Sequence, residues 1–252
     1  DYVDEAAASV PDKTAWSNFN SMTGVASTLS FKEFQTLSDR VALGLVALGV
    51  EKNDVVSVQL PNWWEFAAVY AATSRIGAVI NPLMPIFRQR EISYMMGFAE
   101  SKVIIIPRNF RNFDYPAMIN EMRHDLPRLE LVIVIGDEDE RAFAKALLDP
   151  ALEEKFDKSA LFKQRRPDPN DVNLLVYTSG TTGQPKGVMH TANTLVASVK
   201  TYAERLELSE KDVILMASPF AHLTGFLYGL MLPVYLKTKG VPQDIWLSLI
   251  HI

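Results

Sequence analysis

Residues 177–191 read YTSGTTGQPKGVMHT. Three glycines (Gly180, Gly183, Gly187), four hydroxyl side chains (Thr178, Ser179, Thr181, Thr182) and one lysine, Lys186, follow directly on an apolar stretch. Glycine admits positive φ angles and lets a ligand approach the backbone closely. Successive N–H groups in such a loop can converge on one concavity, hydroxyls add donors, and an ammonium adds a full positive charge. The set is suited to gripping a polyphosphate, and it is denser in donors than a solvated turn between two strands requires. It is not a Walker loop, because Pro185-Lys186-Gly187 stands where Gly-Lys-Ser/Thr would be needed, and the dinucleotide pattern G-x-G-x-x-G is absent. Strand-forming residues resume at once in VMH, which predicts a hairpin-like loop rather than a strand-to-helix turn.

The elements that must hold this loop are legible on both sides of it. Ser30-Phe31-Lys32-Glu33 has capping-box spacing, and Phe34, Leu37, Val41, Leu45 and Leu48 then recur every three or four residues until Gly49. A strand over residues 55–60 follows, then Pro61, with Asn62 as the expected cap of an all-round apolar helix that places Glu65 third and holds Trp63 and Trp64 in the core. The alternation continues with strands over 78–81, 103–106 and 131–135 and helices over 88–99 and near 115–124. Short solid apolar strands separated by helices imply βαβ units and a parallel sheet covered on both faces, an α/β fold. Residues 137–169 turn charged and proline-bearing, as a surface connection does, which divides the chain into a first subdomain (1–165) and a second (166–252) that opens with NLLVYT. In the second, a helix is expected over 192–206 with Leu195, Val199, Tyr202 and Leu206 on one face, then a strand over 213–218.

Composition limits the alternatives. The 252 residues carry a net charge of -5 with no block of like charges, which gives no basis for a nucleic-acid groove or a polybasic membrane patch. There is no cysteine, so disulfides, thiolate metal sites and a thiol nucleophile of the protein's own are excluded. The apolar run over 226–236 is interrupted by Pro233 and falls well short of the roughly 20 residues a membrane span needs. It reads as buried core, and the acidic N-terminal stretch lacks the pattern of a secretory signal.

The run YTSGTTGQPKGV resembles the signature loop of the adenylate-forming superfamily, which includes acyl-CoA synthetases and peptide-synthetase adenylation domains. The resemblance extends through LSFKEFQTLSDRVALGLVALGVEKNDVVSVQLPN, RIGAVINPLMP and ASPFAHLTGFLYGL. QLPNWWEF, NPLMPIFRQREI and SPFAHLTGFLYGLMLPV are most similar to ligases acting on medium-chain and cyclohexanecarboxylic acids. It implies the N-terminal portion of a layered α/β domain and a cytoplasmic enzyme that takes ATP, Mg²⁺, coenzyme A and a small carboxylic acid, with no nucleic-acid partner. It also implies roles by position. Thr178, Ser179, Gly180, Thr181, Thr182 and Gly183 would hold the β- and γ-phosphates, Lys186 would neutralise the leaving pyrophosphate, and His222 would lie against the acyl carboxylate and the adenylate. Phe220, His222, Gly225 and Phe226 would line the acyl pocket, with Gly225 leaving room in it. No acidic cluster has convincing spacing for magnesium. The resemblance further implies that the chain is the first part of a longer enzyme, without the adenine, magnesium and C-terminal lysine motifs, and inactive by itself. Residues 247–252, LSLIHI, do not continue it and read as a non-native tail. Two alternatives stand beside the ligase: an adenylation domain that loads a carrier protein, and a nucleotide-binding fragment without catalysis.

Overall fold

The structure, a computed structural model, describes residues 2–178 and 185–245. Helix α1 (Tyr2–Ser9) leads into strand β1 (Thr14–Asn20), which pairs antiparallel with β2 (Val25–Ser30). Ser30 then caps α2 (Phe31–Ala47). Its hydroxyl accepts from the Glu33 N–H at 3.2 Å while the Glu33 carboxylate accepts from the Ser30 N–H at 2.7 Å, the reciprocal pairing the sequence announced. Phe31, Phe34, Val41 and Leu45 are buried, whereas Leu48, just past the last turn, is exposed.

The βαβ units follow: β3 (Val55–Val58), α3 (Trp64–Ile76), β4 (Val79–Pro82), α4 (Gln89–Phe98) and β5 (Val103–Pro107). After the two-residue strands β6 (Asn109–Phe110) and β7 (Phe113–Asp114), helix α5 (Tyr115–Glu121) crosses to β8 (Leu131–Ile135). Val56, Val58, Ile80 and the isoleucines of β5 have no exposed surface, as strands covered on both faces require. The charged connection that comes next is wound into α6 (Phe143–Leu147), α7 (Leu152–Lys155) and α8 (Lys158–Arg165). It is more than a surface tether: Phe143, Leu147 and Leu152 are buried, and Lys158 reaches the buried Asp39 of α2 at 2.9 Å.

Strands β9 (Val172–Thr178) and β10 (Lys186–Thr191) complete a six-stranded sheet in the order β10-β9-β4-β3-β5-β8, with β10 antiparallel and the rest parallel. Helix α9 (Ala192–Arg205), strand β11 (Val213–Met216), a π-helical segment (Gly225–Met231), helix α10 (Leu232–Leu236) and strand β12 (Lys239–Pro242) end the described chain. The second sheet runs β11-β12-β1-β2. The chain is therefore α/β, with largely parallel sheets flanked by helices. Both sheets draw strands from either side of residue 165: β9 and β10 extend the sheet begun by β3, while β12 returns to pair with β1. Two expectations are corrected. Leu206 is exposed and Ala203 takes its place on the buried face of α9, since that helix stops at Arg205. Trp63, not Asn62, is the residue before the first turn of α3, for a reason found in the candidate site.

Candidate active site

Strand β9 is anchored to the parallel sheet through Leu174, which pairs with Ile80 of β4 and is fully buried. It ends at Thr178, whose register partner across the hairpin is Lys186, the first residue of β10. The expected hairpin is thus present, and its connecting loop is closed by this pair. Thr178 and Lys186 are both exposed at its mouth. Among the described residues, no hydrogen-bond acceptor or carboxylate partners the Lys186 ammonium. Ser179, Gly180, Thr181, Thr182 and Gly183, the expected phosphate donors, lie outside the described residues.

Gly187 plays a different part from the one its type suggests. Its φ is not positive, and it sits opposite Tyr177, where a Cβ would come within 3.0 Å of Leu175 Cδ1 and 3.5 Å of the Tyr177 ring. The missing side chain makes room chiefly for the Leu175 side chain, with the Tyr177 ring beside it. The Tyr177 hydroxyl continues to α4 and donates to the Met95 carbonyl at 2.8 Å. Burial pushes the Tyr177 phenol up to about 12, with Tyr94 adding to the effect, so it stays a proton donor. From α4, the Tyr94 hydroxyl donates to the Pro185 carbonyl at 3.1 Å.

The other candidate residues lie after β11, in the stretch Ser218 to Gly225. The turn is closed by the His222 N–H, which donates to the Pro219 carbonyl at 2.9 Å. The His222 side chain is exposed, and its Nδ1 accepts from the Thr224 N–H at 3.3 Å. A neutral imidazole that accepts at Nδ1 carries its proton on Nε2. At Gly225 a Cβ would lie 2.1 Å from the Pro219 oxygen and 2.6 Å from that of Ser218, so its absence lets the turn close on itself. Phe220 and Phe226 are fully buried. Phe220 meets Trp16 and Phe66 edge-on, and Phe226 meets Tyr70 with ring centroids 4.6 Å apart.

What holds this turn escaped sequence reading. Asn62 is buried, and its Oδ1 accepts from the Phe220 N–H at 2.7 Å while its Nδ2 donates to the Ser218 carbonyl at 2.9 Å. It cannot also cap α3. Asn18 of β1 takes that task, accepting from the Trp64 N–H at 3.0 Å and donating to the Asn62 carbonyl at 3.2 Å. An asparagine before an apolar helix carries the signal of a cap, and only the fold shows that a residue 44 positions earlier supplies the cap instead. Trp63 is buried beside it, its Nε1 donating to Asp244 Oδ2 at 2.9 Å.

The hairpin and the His222 turn belong to different sheets, and among the described residues no hydrogen bond or ion pair joins them directly. Helix α9 packs both on β10 and on the π-helical segment that follows the turn, where Tyr202 stacks on Tyr228 at 3.8 Å. The larger surface groove, about 730 Å³, lies elsewhere, lined by Tyr2, Glu5, Lys13, Leu208, Tyr235 and Lys237, and contains none of the candidate residues. Among the described residues no three His, Asp or Glu side chains are placed to hold a metal ion. Among them, too, no helix is long and apolar enough to cross a membrane.

Thr178 and Lys186 face each other across the two strands of the hairpin, and residues 3–246 match the AMP-binding enzyme family. The chain belongs to that family. It is 30% identical over 247 residues to the medium-chain fatty-acid–CoA ligase of Escherichia coli (strain K12), an alignment covering 98% of this chain and 42% of the relative. It is 34% identical over 193 residues to the 2,3-dihydroxybenzoate-AMP ligase of Bacillus subtilis (strain 168), covering 77% and 34% of the two chains. Among solved structures, apo MbtA of Mycobacterium smegmatis superposes with a TM-score of 0.80 at 27% identity, over 97% of this chain and 43% of that one. The N-terminal domain of FACL13 from Mycobacterium tuberculosis shares the fold, with a TM-score of 0.78 at 22% identity over 97% and 56%. The chain spans about two fifths of the length of the curated relatives it matches.

Proposed function

We propose that this chain is the phosphate-gripping part of an acid–CoA ligase that forms an acyl-adenylate. A carboxylate oxygen attacks the α-phosphorus of ATP, the bond to the β-phosphate bridging oxygen breaks, and pyrophosphate leaves. The thiol of coenzyme A then attacks the acyl carbonyl and displaces AMP. No protein nucleophile enters either step, in keeping with a chain that has no cysteine. Catalysis rests on in-line positioning and on donors facing the charge that builds on the phosphates.

The observation that carries this reading is the Thr178–Lys186 pair at the mouth of the hairpin, with an ammonium that no described residue neutralises. Thr178, Ser179, Gly180, Thr181, Thr182 and Gly183 hold the β- and γ-phosphates, and Lys186 balances the departing pyrophosphate. His222, exposed with Nε2 as its free donor, faces the carboxylate and the adenylate. Magnesium, when bound with ATP, screens phosphate charge through ligands other than those described. The likeness to a medium-chain fatty-acid–CoA ligase supports a medium-chain acid, and the wording of QLPNWWEF and NPLMPIFRQREI keeps an alicyclic acid beside it. A relative named an AMP ligase without mention of coenzyme A, the 2,3-dihydroxybenzoate-AMP ligase, keeps a second reading beside the first, in which the adenylate is handed to a carrier protein.

A panel of straight-chain, alicyclic and aromatic acids, scored by pyrophosphate release from the full-length protein with and without free coenzyme A, tests both. Release driven by a medium-chain or alicyclic acid and accelerated by coenzyme A is the expected result. Turnover indifferent to coenzyme A moves the assignment to the carrier-protein reading, and release with no acid overturns both.

A further inference from the structure

Strand β10 begins with Lys186 and lies at the edge of the six-stranded sheet, with β9 as its one neighbour there. The start of such a strand is free to splay, because no second ladder pins it. What pins it is α4. Tyr94 reaches across 91 positions to put its hydroxyl on the Pro185 carbonyl, one residue before Lys186. Among the described residues no other side-chain hydrogen bond reaches residues 185–190. The neighbouring limb is tied to the same helix in the opposite sense, Tyr177 donating to the Met95 carbonyl. The two phenol rings meet edge-on at 6.5 Å, so each orients the other. Consecutive residues of one helix thus grip both limbs of the hairpin at the two points that bracket the phosphate loop.

From this closed ring of contacts we infer that Tyr94 is a positioning residue for Lys186, setting the grip on ATP without touching it. The inference rests on the proposed reaction. A displaced ammonium contacts the phosphates less well even when the hairpin stays folded, and sub-ångström misplacement of such a group is felt in rate. Tyr94→Phe removes the hydroxyl alone and keeps the ring on Tyr177 and on Phe98, which stacks on its other side at 6.1 Å. The variant therefore folds.

Acid-dependent ATP–pyrophosphate exchange is to be measured in the full-length protein for wild type, Tyr94→Phe, Lys186→Ala and the double variant. One hydrogen bond to a carbonyl corresponds to a loss of about three- to tenfold in kcat/KM for ATP in Tyr94→Phe. The KM for the acid stays within about twofold, a split that general destabilisation does not produce. On the Lys186→Ala background the same change has no further effect, because the tyrosine acts through the lysine. Wild-type kinetics in folded Tyr94→Phe, an equal loss on both backgrounds, or a loss confined to the acid KM overturns the inference and leaves the reaction standing. A wild-type protein silent with every acid overturns the reaction, and the role of Tyr94 with it.

Discussion

Replacing Asn62 with alanine removes the side chain that spans the His222 turn. The structure fixes what is lost. Two hydrogen bonds go, to the Phe220 N–H at 2.7 Å and the Ser218 carbonyl at 2.9 Å. Phe220 has no exposed surface, so its N–H is left without water and carries most of a desolvation penalty, about 1–3 kcal/mol. The Ser218 carbonyl is only part-buried and water can reach it, which adds about 1 kcal/mol. The expected destabilisation is about 2–4 kcal/mol, at the upper end for one substitution. Urea unfolding of wild type and variant, followed by the fluorescence of the adjacent Trp63 and the other tryptophans, measures it. Asn62→Asp sharpens the test: it buries a carboxylate and sets one of its oxygens against the Ser218 carbonyl oxygen, so at neutral pH it is at least as destabilising as alanine. An Asn62→Ala loss below about 0.5 kcal/mol, or an aspartate variant as stable as wild type at neutral pH, would refute the reasoning.

Other outcomes follow from the same geometry. Gly225→Ala drives a Cβ into the Pro219 carbonyl, 2.1 Å away with backbone on both sides, and destabilises the protein by about 3 kcal/mol or more; chemical denaturation should show it, and a neutral result would mean the turn is not closed as described. Glu65 is held by burial with its Oε2 unpartnered, and its carboxyl is pushed up to about 7. Because the folded state keeps a proton that the unfolded state has lost, stability falls as pH rises from about 4.5 to about 7. Glu65→Gln removes this slope and gains up to about 3 kcal/mol at pH 8, with no gain at pH 4; parallel pH–stability curves would contradict it.

Legibility in the sequence followed the range of the interaction. The capping box at Ser30, the solid strands of the parallel sheet and the hairpin around the glycine-rich loop are written in neighbouring residues, and the structure has each of them. Sheet membership was not legible, because it is decided by pairings between distant strands, such as Trp16 with Gly240, which no local composition records. Asn62 shows the same limit at the scale of one side chain. Its local signal was that of a cap, and Asn18 displaced it from that task. Gly187 was read as a loop glycine and Gly225 as leaving room in an acyl pocket, and the structure adds what local sequence does not record: their Cβ positions meet the Leu175 side chain in one case and the chain's own backbone in the other. The tyrosines of the α4 clamp gave no sequence signal, since each looks like an ordinary half-buried aromatic until the helix is seen beside the hairpin.

The most direct test of the central claim is ATP–pyrophosphate exchange by full-length Lys186→Ala beside wild type, at saturating acid. Loss of the ammonium facing the phosphates should cut exchange by about a hundredfold or more, a few kcal/mol of charge stabilisation, while thermal unfolding stays unchanged because the side chain is exposed. Exchange at the wild-type rate in the folded variant would contradict the account.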